Sequence, residues 1–150
     1  MNAKEGEMFP AFSLRDDAGN TVTLDSLKGK TTIVYFYPKD DTPGCTTEAC
    51  NFRDDIGAFR GKGILVYGIS VDGIDSHKKF KERYHLNFPL LSDETKTLVE
   101  KLGIKSPSGN AQRTTFVLDK NGKIIKIYQN VSPDKHSKEL MAFINGLKNN

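Results

Sequence analysis

The sequence predicts an α/β fold with a central mixed β-sheet flanked by helices. Two stretches, TTIVYFY (31–37) and ILVYGISV (64–71), are rich in β-branched and aromatic residues with little polar alternation, as strands buried on both faces are. A helical stretch over about 43–60 separates them and ends at the glycines of RGKG. Strand, helix and strand in this order form a βαβ unit with parallel strands and a right-handed crossover. We expect the 150 residues to form one domain, 1–150.

The elements on either side of this unit follow from local signals. AFSLRDDAGNTVTL (11–24) contains two short strand patterns joined by an Asp/Gly/Asn turn, which predicts an N-terminal β-hairpin extension. Two further helices are predicted near 75–85 and 95–102, with the segment FPLLSD between them. Helices after successive strands place helical layers on both sides of the sheet.

The C-terminal part predicts a second hairpin and a last helix. In TTFVLDKNGKIIKIY (114–128), the pair Asn121-Gly122 favours a type I′ turn. The last helix is predicted to begin after Ser132 as N-cap, with Pro133 at its first position. Three apolar residues then share one helix face: Leu140, Ile144 and Leu147.

Charge and hydropathy exclude several classes of partner. The net charge of +3 comes from 22 basic and 19 acidic side chains that are interleaved along the chain. The densest basic stretch, HKKFKER (77–83), is typical of a solvated helix face, so nucleic-acid binding is not predicted. No apolar run is long enough to cross a bilayer, and the N-terminus resembles neither a signal nor a transit peptide. We therefore expect a cytoplasmic protein that binds no membrane and whose thiols are kept reduced.

The three histidines suggest no metal centre. His77, His85 and His136 are scattered, none has metal-ligand spacing from a cysteine, and all three are expected to be exposed helix residues. Two thiols without clustered histidines leave a zinc coordination sphere half empty. The sequence therefore predicts neither a metal nor another cofactor.

The segment TPGCTTEAC (42–50) carries both cysteines of the chain. Thr42 is a natural N-cap and Pro43 a natural first helical residue, which puts Cys45 in the first turn of the helix. Backbone N–H groups are unsatisfied there and the helix dipole is positive, so the thiolate is favoured. Cys45 also follows the carboxyl end of a buried strand, where open α/β sheets place their sites. The segment therefore predicts a reactive Cys45, the alternative being a small buried apolar residue.

The spacing of the cysteines does not suit a permanent disulfide. In an intact helix, the Cα atoms of Cys45 and Cys50 would lie roughly 8–9 Å apart, whereas a disulfide needs less than about 7 Å. Unwinding a turn or two brings them together at little entropic cost. This predicts a pair that meets only during a reaction: Cys45 attacks a peroxide and becomes a sulfenic acid, Cys50 attacks that acid, and an external dithiol reduces the disulfide. The alternative for Cys50 is a core cysteine.

Fast peroxide reduction needs more than a thiolate. Asp40 and Asp41 lie nearby and their charges oppose ionisation of the thiol. Donors directed at the peroxide oxygens are required as charge develops, and the Thr42 hydroxyl and the Cys45 N–H are candidates. A cation is also required, and spacing alone does not choose one of the 22 basic residues.

These residues resemble a known family. PKDDTPGC fits the P-x-x-x-T-x-x-C signature of peroxiredoxins, and YFYPKDDTPGCTTEACNFRD is similar to the PrxQ, or bacterioferritin comigratory protein, subgroup. Segments such as FPAFSL, FPLLSD and RTTFVLD also resemble family segments and occur in the family order. The resemblance implies a thioredoxin-like fold with an N-terminal extension. It also implies thiol peroxidase activity on hydrogen peroxide and alkyl hydroperoxides, with thioredoxin as reductant.

The resemblance also implies roles for the residues of the signature. Cys45 matches the peroxidatic cysteine and Cys50 the resolving one, and the two would form an intramolecular disulfide. Thr42 matches the threonine that hydrogen-bonds thiolate and peroxide, and Pro38 matches the proline that shields the site from water.

Two residues outside the signature acquire roles in the same way. Arg113, which opens RTTFVLD, matches the arginine that polarises the peroxide and steadies the thiolate, and Glu48 matches a glutamate that orients active-site arginines. The segment KSPSGNAQ (105–112) departs from the family pattern just before Arg113, which leaves the substrate preference open. The subgroup resemblance implies a monomer, with a dimer as the alternative.

Two other functions remain open on the residues alone. The same cysteine pair could serve a thiol–disulfide oxidoreductase acting on proteins, although the C-x-x-C spacing is absent. It could also serve as the switch of a redox-sensing binding protein. Turnover of peroxide separates the peroxidase from both alternatives.

Overall fold

The computed structural model describes residues 1–147. Within them the chain forms one mixed sheet whose strands are β1 (Ser13–Asp16), β2 (Thr21–Thr23), β3 (Thr32–Phe36), β4 (Leu65–Ser70), β5 (Leu90–Ser92), β6 (Thr114–Leu118) and β7 (Ile124–Tyr128). The helices are α1 (Pro43–Gly61), α2 (Ile74–Tyr84), α3 (Thr97–Leu102) and α4 (His136–Leu147). The strand order is β2-β1-β5-β4-β3-β6-β7, with β3, β4 and β5 parallel. This confirms the predicted mixed sheet with its N-terminal hairpin, β1–β2.

Strand β3 is the centre of the core. Its residues alternate between two apolar clusters, Ile33 and Tyr35 facing one and Val34 and Phe36 the other, because successive strand side chains point to opposite faces. Helices α1, α2 and α4 cover the first face, whereas α3 and the N-terminal segment cover the second. All five β3 residues are buried, as the continuous apolar run predicts.

The sheet register fixes where the chain leaves and re-enters the core. Strand β6 runs antiparallel to β3 and pairs Thr114 with Phe36, the last residue of β3. The residue before β6, Arg113, therefore lies beside the point where β3 ends and the loop to α1 begins. This brings an arginine to the start of α1 from far along the chain.

The segment FPLLSD contains a strand that local patterns did not predict. Leu90–Ser92 forms β5, which pairs parallel with β4 and antiparallel with β1 and so joins the hairpin to the rest of the sheet. Asp93 follows it, and its carboxylate accepts hydrogen bonds from the backbone N–H groups of Leu98 and Val99 in α3. Three residues are too few for periodicity to reveal a strand.

The predicted type I′ turn between β6 and β7 is wrong. Gly122 is left-handed, with φ of 85°, but Asn121 is not, and a type I′ turn needs positive φ at both positions. The carboxylate of Asp119 accepts hydrogen bonds from the N–H groups of Asn121 and Lys123. It thereby favours an ordinary turn that is followed by a left-handed glycine.

The predicted start of the last helix is also wrong. α4 begins at His136, and Ser132 belongs to a separate turn that the Lys135 N–H closes on the Ser132 carbonyl. The Ser132 hydroxyl donates to the Asp134 carboxylate and caps no helix. Leu140 and Ile144 are buried on the inner face, as predicted. Over residues 1–147, no helix combines the length and hydropathy needed to cross a bilayer.

Candidate active site

Cys45 occupies the first turn of α1. The helix begins at Pro43 after Thr42 in extended conformation, and the Thr46 N–H donates to the Thr42 carbonyl at 2.8 Å. Cys45 is 1% exposed and packs in the α1-side core, whereas Cys50 is half-buried. Both thiols are free, and α1 is continuous through both positions. This is the reduced arrangement, in which the helix keeps the two sulfurs apart.

Arg113 supplies the cation that local patterns could not identify. Its Nη2 donates to Cys45 Sγ at 3.3 Å, and its Nη1 donates to Glu48 Oε1 at 2.7 Å. Glu48 lies three residues after Cys45 in α1 and therefore on the same helix face. Burial lowers the pKa of Arg113, but the nearby Glu48 and Cys45 raise it by more, so the pKa lies above its ordinary value. The guanidinium therefore remains a cation that bridges the thiol and the carboxylate.

Glu48 is a buried carboxylate with one oxygen unpaired. The residue is 1% exposed, and its Oε2 has no hydrogen-bond partner among the described residues. Burial raises the pKa of Glu48 from 4.5 to about 7, although the charge and hydrogen bond of Arg113 lower it in part. Glu48 therefore exchanges a proton near neutral pH, beside the cation that contacts the thiol.

Gly44 allows the arginine to approach the helix. A Cβ at this position would lie 3.3 Å from Arg113 Nη2 and 3.6 Å from Pro133 Cγ. The first of these contacts is tight enough to displace the guanidinium. A glycine just before Cys45 therefore leaves room for the Arg113–Cys45 contact.

Thr42 and Pro38 lie around the site without a hydrogen bond to the sulfur. The Thr42 hydroxyl donates to the Lys39 carbonyl at 2.9 Å and makes no capping bond to the helix. Its oxygen retains the capacity to accept. Pro38 is half-buried in the loop that leads from β3 to Thr42.

The segment 105–112 closes into a loop before Arg113. Lys105 and Ala111 form a β-bridge, and the Ser106 N–H donates to the Asn110 carbonyl at 2.8 Å. The Gln112 N–H donates to the Ile104 carbonyl at 2.7 Å. The departure from the family pattern is therefore a closed turn adjacent in sequence to the site.

Two of the three histidines contradict the prediction that they are exposed. His77 and His136 are 0% exposed, and only His85, the C-cap of α2, lies at the surface. His136 Nε2 lies 2.7 Å from Thr115 Oγ1, and burial lowers the pKa of His136, although Glu139 raises it in part. Scattered spacing says nothing about burial, because contacts across elements decide it.

Sequence reasoning also missed a polar cluster behind the site. Asp40, in the loop after β3, pairs with His77 of α2, and Asp72 follows the neighbouring strand β4. The available signal was that β3 and β4 are adjacent parallel strands, whose carboxyl ends meet at one edge. The sequence alone presents Asp40 and Asp41 only as charges that oppose ionisation of the thiol, and it singles out neither Asp72 nor His77.

Among the described residues, the side chains of this cluster are the ones close enough together to hold a metal ion. Atoms of Asp40, Asp72 and His77 lie within 4.8 Å of one another. Each group is already engaged: Asp40 with His77 Nδ1, Asp72 with Ser70 Oγ and the Asp40 N–H, and His77 Nε2 with the Leu91 carbonyl. We therefore interpret the cluster as a hydrogen-bonded network.

Comparison with known proteins identifies the family. Residues 6–127 match the model of the AhpC/TSA family, which is most of the chain. The chain belongs to the AhpC/TSA family. It is 46% identical over 146 residues to a chloroplastic peroxiredoxin Q of Suaeda salsa, a match that covers 95% of this chain and 68% of that protein. It is 43% identical over 149 residues to a bcp peroxiredoxin of Coxiella burnetii, covering 95% of this chain and 99% of that one.

Solved structures agree with the sequence comparisons. The peroxidoxin BcpB of Mycobacterium tuberculosis superposes with a TM-score of 0.89 at 34% identity, covering 95% of this chain and 97% of that one. The bacterioferritin comigratory protein of Xanthomonas campestris, described for its alkyl peroxide reduction, gives 0.85 at 29% identity and covers 90% of each chain. These matches confirm the thioredoxin-like fold and the PrxQ resemblance. As a peroxiredoxin, the chain is a thiol-dependent peroxidase that uses a peroxide and a thiol reductant.

Proposed function

We propose that the protein reduces hydrogen peroxide and alkyl hydroperoxides through Cys45, with Cys50 as the resolving residue. The observation that carries this proposal is the 3.3 Å contact between Arg113 Nη2 and the free Cys45 Sγ in the first turn of α1. A cation and a helix N-terminus both favour sulfur in its anionic, nucleophilic form. The alkyl peroxide reduction of the related Xanthomonas protein supports the choice of substrate.

The first step oxidises Cys45. Its thiolate attacks one peroxide oxygen, an S–O bond forms and the O–O bond breaks. Cys45 becomes a sulfenic acid, and the departing oxyanion takes up a proton to leave as water or an alcohol. Arg113 stabilises the charge that develops on the peroxide oxygens. The Thr42 hydroxyl, which donates to the Lys39 carbonyl, accepts a hydrogen bond from the peroxide O–H. Glu48 orients Arg113 through their 2.7 Å hydrogen bond, and Pro38 shields the site from water.

The second step joins the two sulfurs. The Cys50 thiolate attacks Cys45 Sγ, an S–S bond forms, and hydroxide leaves and is protonated to water. α1 must unwind locally for this, because an intact helix holds the two Cα atoms too far apart. A dithiol protein then reduces the disulfide by exchange and is itself oxidised.

The reductant, assembly and compartment complete the proposal. Thioredoxin is the dithiol that we propose, since it is a protein dithiol of low reduction potential. An intramolecular disulfide needs no second subunit, which favours a monomer. A cycle that starts from two free thiols requires a reducing compartment, and we propose the cytoplasm.

A coupled peroxidase assay with thioredoxin and its reductase tests the proposal on the wild type, Cys45→Ser and Cys50→Ser. The Cys45→Ser variant should consume no peroxide, because the nucleophile is gone. The Cys50→Ser variant should still consume one equivalent of peroxide but lose turnover with thioredoxin. Equal activity in all three proteins would contradict the proposal, and disulfide exchange without peroxide consumption would indicate an oxidoreductase instead.

A further inference from the structure

The loop that leads into the active site is held by a buried carboxylate. Asp40 lies in the loop 38–42 between β3 and α1 and is 7% exposed. Its carboxylate contacts three groups: Tyr37 Oη donates at 2.6 Å, Ser76 Oγ donates at 2.8 Å, and His77 Nδ1 lies at 2.7 Å. A buried carboxylate with this many partners fixes the backbone that carries it.

His77 faces acceptors with both ring nitrogens. Nδ1 faces the Asp40 carboxylate, and Nε2 lies 2.9 Å from the Leu91 carbonyl of β5. A neutral imidazole has one N–H, so the two contacts are both satisfied only when the ring carries two. Burial lowers the pKa of His77, but the hydrogen bond and charge of Asp40 outweigh it, so that the pKa is raised. The pair is therefore a buried imidazolium–carboxylate contact.

The other groups around His77 support the same charge state. Asp72, after β4, adds a second carboxylate and accepts a hydrogen bond from the Asp40 N–H at 2.8 Å. Tyr37, at the end of β3, stacks obliquely on His77 with ring centroids 6.4 Å apart. Burial and the charge of Asp40 raise the pKa of Tyr37, so its hydroxyl remains a neutral donor.

The next residue of the loop is held by the other end of α2. Asp41 adopts φ of 60°, a region that non-glycine residues rarely occupy. Arg83 Nη1 and Tyr84 Oη each donate to its carboxylate at 2.7 Å. These contacts are exposed and individually weak. Helix α2 thus holds both residues that precede Thr42, with the buried contact to Asp40 as the stronger one.

We propose that His77 is a positioning residue for peroxide reduction: its buried contact with Asp40 fixes the loop 38–42 and so holds the first turn of α1, with Cys45, against Arg113. This rests on the proposed function of Cys45. The Cys45–Arg113 contact joins residues 68 positions apart, so it depends on how the loop places α1 relative to β6. A misplacement of about 1 Å at a reacting centre costs up to about 100-fold in rate.

The test compares His77→Gln with wild type in the rate constant for Cys45 oxidation by hydrogen peroxide, measured by competition with a reference peroxidase. The expected result at pH 7 is a loss of at least about tenfold, with the helical circular dichroism unchanged. Lys81→Met is the matched control, since Lys81 lies on the same helix and pairs with Asp17 at 3.0 Å, away from the loop. It should keep the wild-type rate.

A pH profile separates positioning from general destabilisation. In the wild type, the rate constant should decline at alkaline pH as His77 loses its Nε2 proton, since the Nδ1 proton stays hydrogen-bonded to the Asp40 carboxylate. The lone pair of Nε2 then faces the Leu91 carbonyl, and this repulsion loosens α2, and with it Asp40, against the sheet. His77→Gln should show no such decline. If His77→Gln does not fold, Ser76→Ala removes one of the hydrogen bonds to Asp40 and should lower the rate constant about two- to fivefold.

Three outcomes would overturn the inference. They are a wild-type rate constant in His77→Gln (or in Ser76→Ala, where that variant replaces it), an equal loss in Lys81→Met, and a wild-type rate that rises monotonically with pH. If the wild type itself consumes no peroxide, the proposed function fails, and this inference fails with it. An active wild type with an unaffected variant overturns the positioning role alone.

Discussion

Arg113 makes two different contacts with one rigid group. Its planar guanidinium donates to Cys45 Sγ from one nitrogen and to Glu48 from another. A lysine ammonium is a single point charge and cannot span both acceptors in a fixed geometry. The bridge between thiol and carboxylate therefore requires arginine.

Replacing Arg113 tests this bridge. Arg113→Met should lower the rate constant for Cys45 oxidation by about 100-fold, because a positioned donor at the developing charge is lost. Arg113→Lys should retain only part of the wild-type rate constant. Arg60→Met is the control, since Arg60 donates to the Asn87 carbonyl at the surface. Competition kinetics measure all three, and a wild-type rate in Arg113→Met would show that the contact has no catalytic consequence.

Glu48 links the site to the stability of the molecule. Its folded pKa, about 7, exceeds its ordinary value of 4.5 because the side chain is buried. Between these values the folded state binds the proton more tightly than the unfolded state does. The stabilisation is therefore fully present below about pH 4.5 and is lost as the pH rises through about 7.

The Glu48→Gln variant should remove this dependence. Between pH 5 and pH 8, the free energy of unfolding of the reduced wild type should fall by about 2–3 kcal/mol more than that of the variant. Urea denaturation with a reductant present measures the difference. Glu82→Gln, at an exposed position of α2, should follow the wild type. An identical pH dependence in Glu48→Gln and wild type would mean that Glu48 does not titrate in this range.

At the scale of elements, α1 carries Cys45 in its first turn and large apolar side chains in its second half. Gly44 opens the helix where Arg113 approaches, whereas Phe52 and Phe59 are fully buried further along. Glycine destabilises a helix. At position 44 it also leaves space for the guanidinium of Arg113. In the proposed cycle, this first part of α1 is the part that unwinds to join the cysteines.

Gly44→Ala should separate helix stability from the arginine contact. The added methyl would press on Arg113 Nη2, so the rate constant for Cys45 oxidation should fall several-fold. Gly57→Ala, in the same helix with no heavy atom within 4 Å of the new Cβ, should keep the rate. It should stabilise the protein by about 0.5–1 kcal/mol. Equal rates in the two variants would show that Gly44 provides no needed space.

At the scale of the whole molecule, neighbouring helices anchor the second half of α1. Arg53 Nη1 donates to the Tyr84 carbonyl at the end of α2 at 2.7 Å. Ser137 Oγ of α4 donates to the Asp55 carboxylate at 2.7 Å. Both anchors lie after Cys50, so we expect them to persist when the part of α1 that carries the cysteines unwinds in the proposed cycle.

Hydrogen exchange should detect this division when peroxide oxidises the protein. Amides of residues 46–51 should lose protection as the disulfide forms, whereas amides of 53–61 should keep it because their anchors persist. Mass spectrometry should show an intact chain lighter by two hydrogen atoms, without cross-linked dimers. Cys50→Ser, which cannot form the disulfide, should keep protection throughout. A disulfide that formed with the amides of residues 46–51 still protected would contradict local unwinding.

The sequence by itself determined most of the elements and the place of the segment that carries both cysteines. The two buried strands, the start of α1 at Pro43 and the place of Cys45 in its first turn all follow from signals within a few residues. Periodicity, capping and turn chemistry act between residues a few positions apart, so a single sequence is enough to predict their effects. The same signals failed where a side chain overrode them, as Asp119 does in the turn after β6.

The tertiary structure alone decided which distant residues meet. Arg113 reaches Cys45 across 68 positions, and His77 reaches Asp40 across 37. Without the family resemblance, no local pattern selects Arg113, and none selects His77. Such contacts depend on sheet register and on how helices dock, which arise from burying many apolar residues together. The sequence placed the sulfur at a helix end, and the packed sheet brought a cation to it.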